Sequence, residues 1–261
     1  MGNGAECVQG TVVVSLVGLS DNVGVKAMTV SPLAGMGRLV QHDRRNASFP
    51  LPKAAVPAGV RKRMWWGGSV YDQGDLPQCV GYAGFGWLTG GPVVNHPHFA
   101  PADLYHWAQQ ADEWPGQDYD GTSTLGLMKA LKDKGYIDEY RWATDADTLV
   151  AWILAKGPVL VGTDWFKDMF TPEEKNGFIR PTGDNQGGHE WRIVGADLDQ
   201  KCPDGTTGAV RMVNSWGKGW GQQGRAWVSI KDLDFLVKNN GEAVTVPELK
   251  VAMIEADSAF V

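Results

Sequence analysis

Three cysteines and five histidines supply the nucleophilic and acid–base side chains of this 261-residue chain. A thiol attacks an acyl carbon as the thiolate, and a free cysteine, with its pKa near ~8.5, is mostly protonated at neutral pH. A helix N-terminus lowers that value because its dipole and free N–H groups favour negative charge, and a histidine that takes the proton lowers it further. Cys79 carries the first of these signals. It follows the turn-dense stretch from Gly67 to Gln78 and opens the apolar run Cys79-Val80-Gly81-Tyr82-Ala83-Gly84-Phe85-Gly86-Trp87-Leu88. A lone cysteine is by habit a small buried hydrophobe, so its context has to decide. Cys7, Cys79 and Cys202 are too few and too scattered for a disulfide scaffold, and they lack the CxxC pairs of a structural zinc site. A reducing compartment follows as the expectation. His96-Pro97-His98 suggests a metal pair, but no cysteine or acidic residue stands at a suitable spacing, and no cofactor is expected.

Three stretches supply the context. Asp72-Gln73-Gly74 precedes Cys79, with Gln73 six residues before the thiol. Gly187-Gly188-His189-Glu190-Trp191-Arg192-Ile193-Val194-Gly195-Ala196 places a histidine at the head of a β-prone run. Asn214-Ser215-Trp216-Gly217-Lys218-Gly219-Trp220-Gly221-Gln222-Gln223-Gly224-Arg225 follows them in the chain. These stretches resemble the papain-like cysteine peptidases, the last of them matching Asn-Ser-Trp-Gly-x-x-Trp-Gly-x-x-Gly in the order that family keeps. The resemblance spans about residues 66–230.

The resemblance implies a set of roles. Cys79 would be the nucleophile, His189 its base, and Asn214 the group that orients the base. The Gln73 side-chain amide and the Cys79 backbone N–H would form the oxyanion hole, where a lost donor costs roughly 2.7–4 kcal/mol of barrier. A third group that selects tautomer and ring orientation need not be charged. Trp216 would cover the His189–Asn214 bond. Gly121, in Asp120-Gly121-Thr122-Ser123, would pair with extended substrate, an ordinary helix-capping turn being the alternative. Gly188 joins Gly121 and Trp216 as a substrate-binding position. The sequence also departs from the family. Leu76-Pro77-Gln78-Cys79-Val80 stands where Cys-Gly-Ser-Cys-Trp is usual, so the disulfide partner is missing and the first specificity pocket is walled differently. The shorter spacing from Cys79 to His189 suggests a compact microbial or bacteriophage-type member.

These residues need elements to hold them. The run after Cys79 falls near helical spacing, although its glycines would weaken an isolated helix, so burial has to compensate. Further helices are expected over 101–111, 123–135 and 147–155, Gly157-Pro158 ending the helical half. Short β-prone runs follow at 159–161, 191–194, 209–213 and 225–230. Helices first and strands later predict an α+β, papain-like two-lobed fold, with the nucleophile at a helix N-terminus in a helical lobe and His and Asn in a β-rich lobe. The expected divisions are an N-terminal extension or arm at 1–60, a peptidase domain at 61–250 (helical lobe about 79–156, β lobe about 157–250) and a C-terminal tail at 251–261.

With 24 Lys and Arg against 30 Asp and Glu, the chain lacks the clustered cations of a phosphate-tracking protein, and no nucleic acid is expected as a partner. Arg61-Lys62-Arg63 reads as a solvated turn or strand edge. No apolar run approaches the ~20 residues needed to span a bilayer, and no membrane partner is expected. Thr11 to Leu19 reads as a strand rather than a signal peptide, since no basic residue precedes it. The expected location is cytoplasmic or virion-associated. No segment resembles the family's long helical propeptide, and the arm could inhibit, dock to an assembly partner by strand addition, or be passive, docking being the preferred expectation. The functional expectation is a cysteine endopeptidase acting on a polypeptide through a thioester. The alternative is a structural or assembly component with an occluded cleft, which an arm filling the groove would favour. An acyl transferase with the same residues is a third possibility.

Overall fold

The computed structural model describes residues 35–116 and 118–248. The expected strand at 11–19, Cys7, most of the arm and the tail lie outside them. Five helices are described: α1 (Cys79–Leu88), α2 (Pro101–Ala111), α3 (Thr124–Asp133), α4 (Ala146–Ala155) and α5 (Ile230–Lys238). The strands are β1 (Arg38–Leu39), β2 (Lys62–Met64), β3 (Thr122–Ser123), β4 (Arg141–Ala143), β5 (Val159–Phe166), β6 (Asn185–Lys201), β7 (Thr207–Val213), β8 (Arg225–Ser229) and β9 (Glu242–Thr245). Seven strands form an antiparallel sheet in the order β4-β9-β5-β6-β7-β8, with β2 adding to β6. β1 and β3 pair separately and in parallel. Among the described residues no helix is long and apolar enough to cross a membrane.

Local chemistry starts the helices where the site needs them. Ser123 caps α3 by accepting the Gly126 N–H, Asp145 caps α4 through Thr148, and Ser229 caps α5 through Asp232. Pro101 at the first turn of α2 gives up only an N–H that has no helical partner there. The glycines of α1 have a packing reason. A Cβ at Gly81 would lie 2.6 Å from the Pro101 carbonyl oxygen, and one at Gly86 would lie 1.6 Å from Arg192 Nη1. Their absence lets α2 and a buried arginine come against the helix, and that packing offsets the poor helix propensity.

Two apolar cores result. One joins α1, α2 and α3 through Val80, Leu88, Leu104, Leu127, Met128 and Leu131. The other lies between the sheet and α4 and α5, around Trp165, Trp191, Ile193, Val210, Met212 and Leu233. Although α4 precedes Gly157 in the chain, its apolar residues pack into this second core and not with α1, α2 and α3. Met36 and Leu51, from the segment ahead of the main body, are buried in it too. Arg61-Lys62-Arg63 lies at a strand edge, with β2 along β6 and Lys62 paired to Asp197.

Candidate active site

Backbone pairing brings the distant motifs together. The Asp72–Gln73 segment lies against Ser215–Trp216: the Gln73 N–H donates to the Ser215 carbonyl at 2.9 Å, and the Gly217 N–H to that of Tyr71 at 2.9 Å. The turn that follows is closed by the Asn214 N–H on the Gly224 carbonyl at 3.0 Å, with Gly217 and Gly224 both at positive φ. A Cβ on Gly217 would lie 2.5 Å from Asp72 Oδ2, so the glycine allows the two segments to meet. Ser215 Oγ then donates to Gln73 Oε1 at 2.5 Å, which leaves the amide nitrogen of Gln73 to donate to Leu76 O at 2.6 Å and to Gly35 O at 3.1 Å.

Cys79 is the first residue of α1 and is fully buried. Its Sγ accepts the Glu190 N–H at 3.4 Å. His189, on β6, is also buried; its Nε2 lies 2.7 Å from Asn214 Oδ1, which additionally accepts the Ser215 N–H at 2.8 Å. Because Asn214 Oδ1 can only accept, this contact puts a proton on Nε2 and leaves Nδ1 as the basic nitrogen. Among the described residues Nδ1 is buried without a hydrogen-bond partner. Aromatic rings enclose the pair. The Trp216 ring centroid lies 4.6 Å and that of Trp165 4.8 Å from the imidazole, and Phe170 stacks on Trp216 at an interplanar angle of 7°.

Burial sets the protonation states. It pushes the Cys79 thiol up to about 12, against the opposing hydrogen bond from Glu190. It also pulls His189 down to about 4, against Asn214 and the neighbouring Gly35 backbone. The sequence predicted a lowered thiol pKa from the helix N-terminus, but complete desolvation of the sulfur outweighs the dipole. Thiol and imidazole are therefore both neutral in this arrangement.

The reason for the burial is that the chain lies in its own cleft. The Gly35 carbonyl oxygen accepts from Gln73 Nε2 at 3.1 Å and Trp216 Nε1 at 3.3 Å, and the Gly35 N–H donates to Asp75 O at 3.3 Å. The Gly37 N–H donates to Gly188 O at 3.2 Å, and Gly37 O accepts the Thr122 N–H at 2.9 Å, after which β1 runs parallel to β3. Residues 35–39 thus span the groove. Gly121 and Gly188 line it without side chains: a Cβ would lie 2.5 Å from Gly37 O at the first and 2.1 Å from Arg38 O at the second. The pairing donor is Thr122, one residue past Gly121, whose own N–H is held by Tyr105 Oη.

The structure therefore gathers Gln73, Cys79, His189, Asn214, Gly121, Gly188 and Trp216 around one groove. No cluster of three or more metal-ligating side chains exists among the described residues. Sequence reasoning missed Ser215 as the partner of Gln73, although it sits inside a quoted motif. It also missed Trp165, Arg38 and Glu242, which carry no local signal.

No protein-family model and no curated protein matches the chain. Solved structures do. Xylellain, a cysteine protease from Xylella fastidiosa, superposes with a TM-score of 0.62 at 17% identity, over 87% of this chain and 100% of that one. The digestive procathepsin L 3 of the Tenebrio molitor larval midgut gives 0.56 at 16% identity, over 82% and 75%. A recombinant stem bromelain precursor gives 0.54 at 14% identity, over 84% and 78%. The fold is papain-like, with a helical lobe and an antiparallel sheet lobe.

Proposed function

We propose that this papain-like chain is a cysteine peptidase that hydrolyses peptide bonds through a thioester. The observation that carries the reading is the convergence on one groove of a thiol at a helix N-terminus, a histidine held by Asn214 at 2.7 Å, and a glutamine amide already bonded to a peptide carbonyl oxygen. In the open cleft Cys79 gives its proton to His189 Nδ1, and the sulfur attacks the carbonyl carbon. The oxygen, now negative, is held by Gln73 Nε2 and, by resemblance, the Cys79 N–H. Collapse breaks the C–N bond, His189 protonates the departing amine, and a thioester remains. A water that gives its proton to His189 attacks that thioester, and the acid leaves as the thiol reforms. Asn214 holds the ring through both halves, and Trp216 and Trp165 exclude water from the His189–Asn214 bond.

The test is labelling of Cys79 by iodoacetamide or an E-64-type epoxide, with hydrolysis of a peptide library. Both should disappear in Cys79→Ala. Wild-type protein that resists these reagents after residues 35–39 are displaced, and cleaves no peptide, would refute the reading. The filled groove is the one observation that bears on the assembly-component alternative. The two readings separate on whether displacing that segment releases hydrolysis.

A further inference from the structure

Beside Cys79 the sheet register creates a row of three residues that the reaction does not use. Glu190 on β6 stands opposite Gly162 on β5, and Gly162 stands opposite Glu242 on β9. Residues opposite one another across a sheet project to the same face. Two carboxylates therefore flank a position with no side chain. A Cβ on Gly162 would lie 2.4 Å from Glu190 Oε2, 2.7 Å from Thr124 Oγ1 and 2.8 Å from Arg38 Nε, so only glycine keeps the slot open.

Arg38 fills that slot. Its side chain is 0% exposed, and Nη2 donates to Glu242 Oε2 at 2.8 Å. Glu190 Oε2 accepts the Thr124 hydroxyl at 2.7 Å. His42 stands at the rim, 3.8 Å from Glu242 Oε1. The slot adjoins the nucleophile, since the N–H of Glu190 itself touches Cys79 Sγ.

Fold stability does not account for the arrangement. Burying one guanidinium and two carboxyl groups carries a desolvation cost that apolar residues of the same volume avoid. The bonding is also incomplete: among the described residues Arg38 Nε and Nη1, Glu190 Oε1 and Glu242 Oε1 are buried without a hydrogen-bond partner. Burial pushes the Glu190 carboxyl up to about 8 even with Thr124 and Arg38 opposing, so Glu190 keeps its proton at neutral pH while Arg38 bonds to Glu242. A planar fork of N–H donors meets two carboxyl groups better than a single ammonium does.

We propose that Glu190 and Glu242, spaced by Gly162, form a guanidinium-binding specificity pocket next to Cys79, which Arg38 fills here and which selects an arginine side chain in a polypeptide substrate. The choice of substrate rests on the peptidase reading; the affinity for a guanidinium does not.

Two measurements test it, both on the full-length chain. In the first, wild type and Arg38→Ala are given fluorogenic peptides in which arginine, citrulline, lysine and leucine are scanned through the positions flanking the scissile bond. At one position arginine should exceed neutral, isosteric citrulline by about tenfold to a hundredfold in kcat/KM, the worth of a charge-assisted hydrogen bond. Glu242→Gln should collapse that ratio, in which any effect of releasing residues 35–39 cancels. Cleavage without arginine preference, lysine accepted equally, or a ratio unchanged in Glu242→Gln overturns the pocket while leaving the peptidase reading intact. In the second, agmatine should raise the melting temperature of Arg38→Ala in a saturable way, whereas neutral n-butylurea should not. A melting temperature indifferent to agmatine, or a variant that stays unfolded in its presence, overturns the pocket. Saturable stabilisation in a protein that cleaves no peptide would uphold the pocket and sink the peptidase reading instead.

Discussion

Replacing Glu242 by Gln should release the segment that buries the thiol. Five hydrogen bonds hold Gly35 and Gly37 in the groove. At about 1 kcal/mol each they contribute roughly what it costs, at about 1–2 kcal/mol per residue, to order the five residues 35–39. Burial of Met36 adds about 1.5–3 kcal/mol. The balance lies near zero without the ion pair, so the Arg38–Glu242 contact decides whether the groove stays filled. Removing one partner of a buried pair costs roughly 3–5 kcal/mol, and this segment can avoid the cost by lifting out. Taking the lower figure, the open population rises about a hundredfold, since 1.4 kcal/mol is tenfold. Because Cys79 is inaccessible in the filled state, its alkylation by iodoacetamide should accelerate by the same factor. Peptide mapping separates it from Cys7 and Cys202, and a thermal melt reports whether the rest of the fold persists. A folded Glu242→Gln protein whose Cys79 reacts at the wild-type rate would refute the reasoning.

Other outcomes follow from the same geometry. Asn214→Ala removes the 2.7 Å contact to His189 and should lower kcat/KM about tenfold to a hundredfold with little change in melting temperature; an unchanged rate counts against the orienting role. Gln73→Ala should reduce kcat by roughly 10²–10³-fold, and a loss confined to KM would remove Gln73 from the oxyanion site. Gly86→Ala places a Cβ 1.6 Å from Arg192 Nη1, and overpacking of about 1–3 kcal/mol should lower the melting temperature by several degrees, about 2–4 °C per kcal/mol at this size. Glu190, raised from 4.5 to about 8 in the fold, binds its proton more tightly there than in the unfolded chain, so its contribution to stability is complete below 4.5 and is lost as pH rises towards 8. His189, lowered from 6.5 to about 4, works in reverse and costs stability as pH falls from 6.5 towards 4. Between 6.5 and 8 only Glu190 of these two acts, and denaturant titrations should show stability falling there in wild type and level in Glu190→Gln.

The sequence by itself determined the candidate reacting groups, because a thiol, a base and its proposed orienter are written in local motifs around Gln73, Cys79, His189 and Asn214. It also determined most elements. The helix beginning at Cys79, that over 101–111, and the strand runs at 209–213 and 225–230, found as Thr207–Val213 and Arg225–Ser229, follow from apolar spacing and turn residues. It left out β4, β9 and α5, the strands being only three and four residues long and held by pairing across the chain. The state of the thiol was decided by tertiary structure, since its helix position pointed to a lowered pKa and the burial imposed by residues 35–39 raised it. Arg38, Gly162, Glu190 and Glu242 come from four separate strands, and no local pattern links them. Only the register of β6, β5 and β9 sets two acids on either side of a glycine, because side chains meet across a sheet according to pairing and not according to their order in the chain.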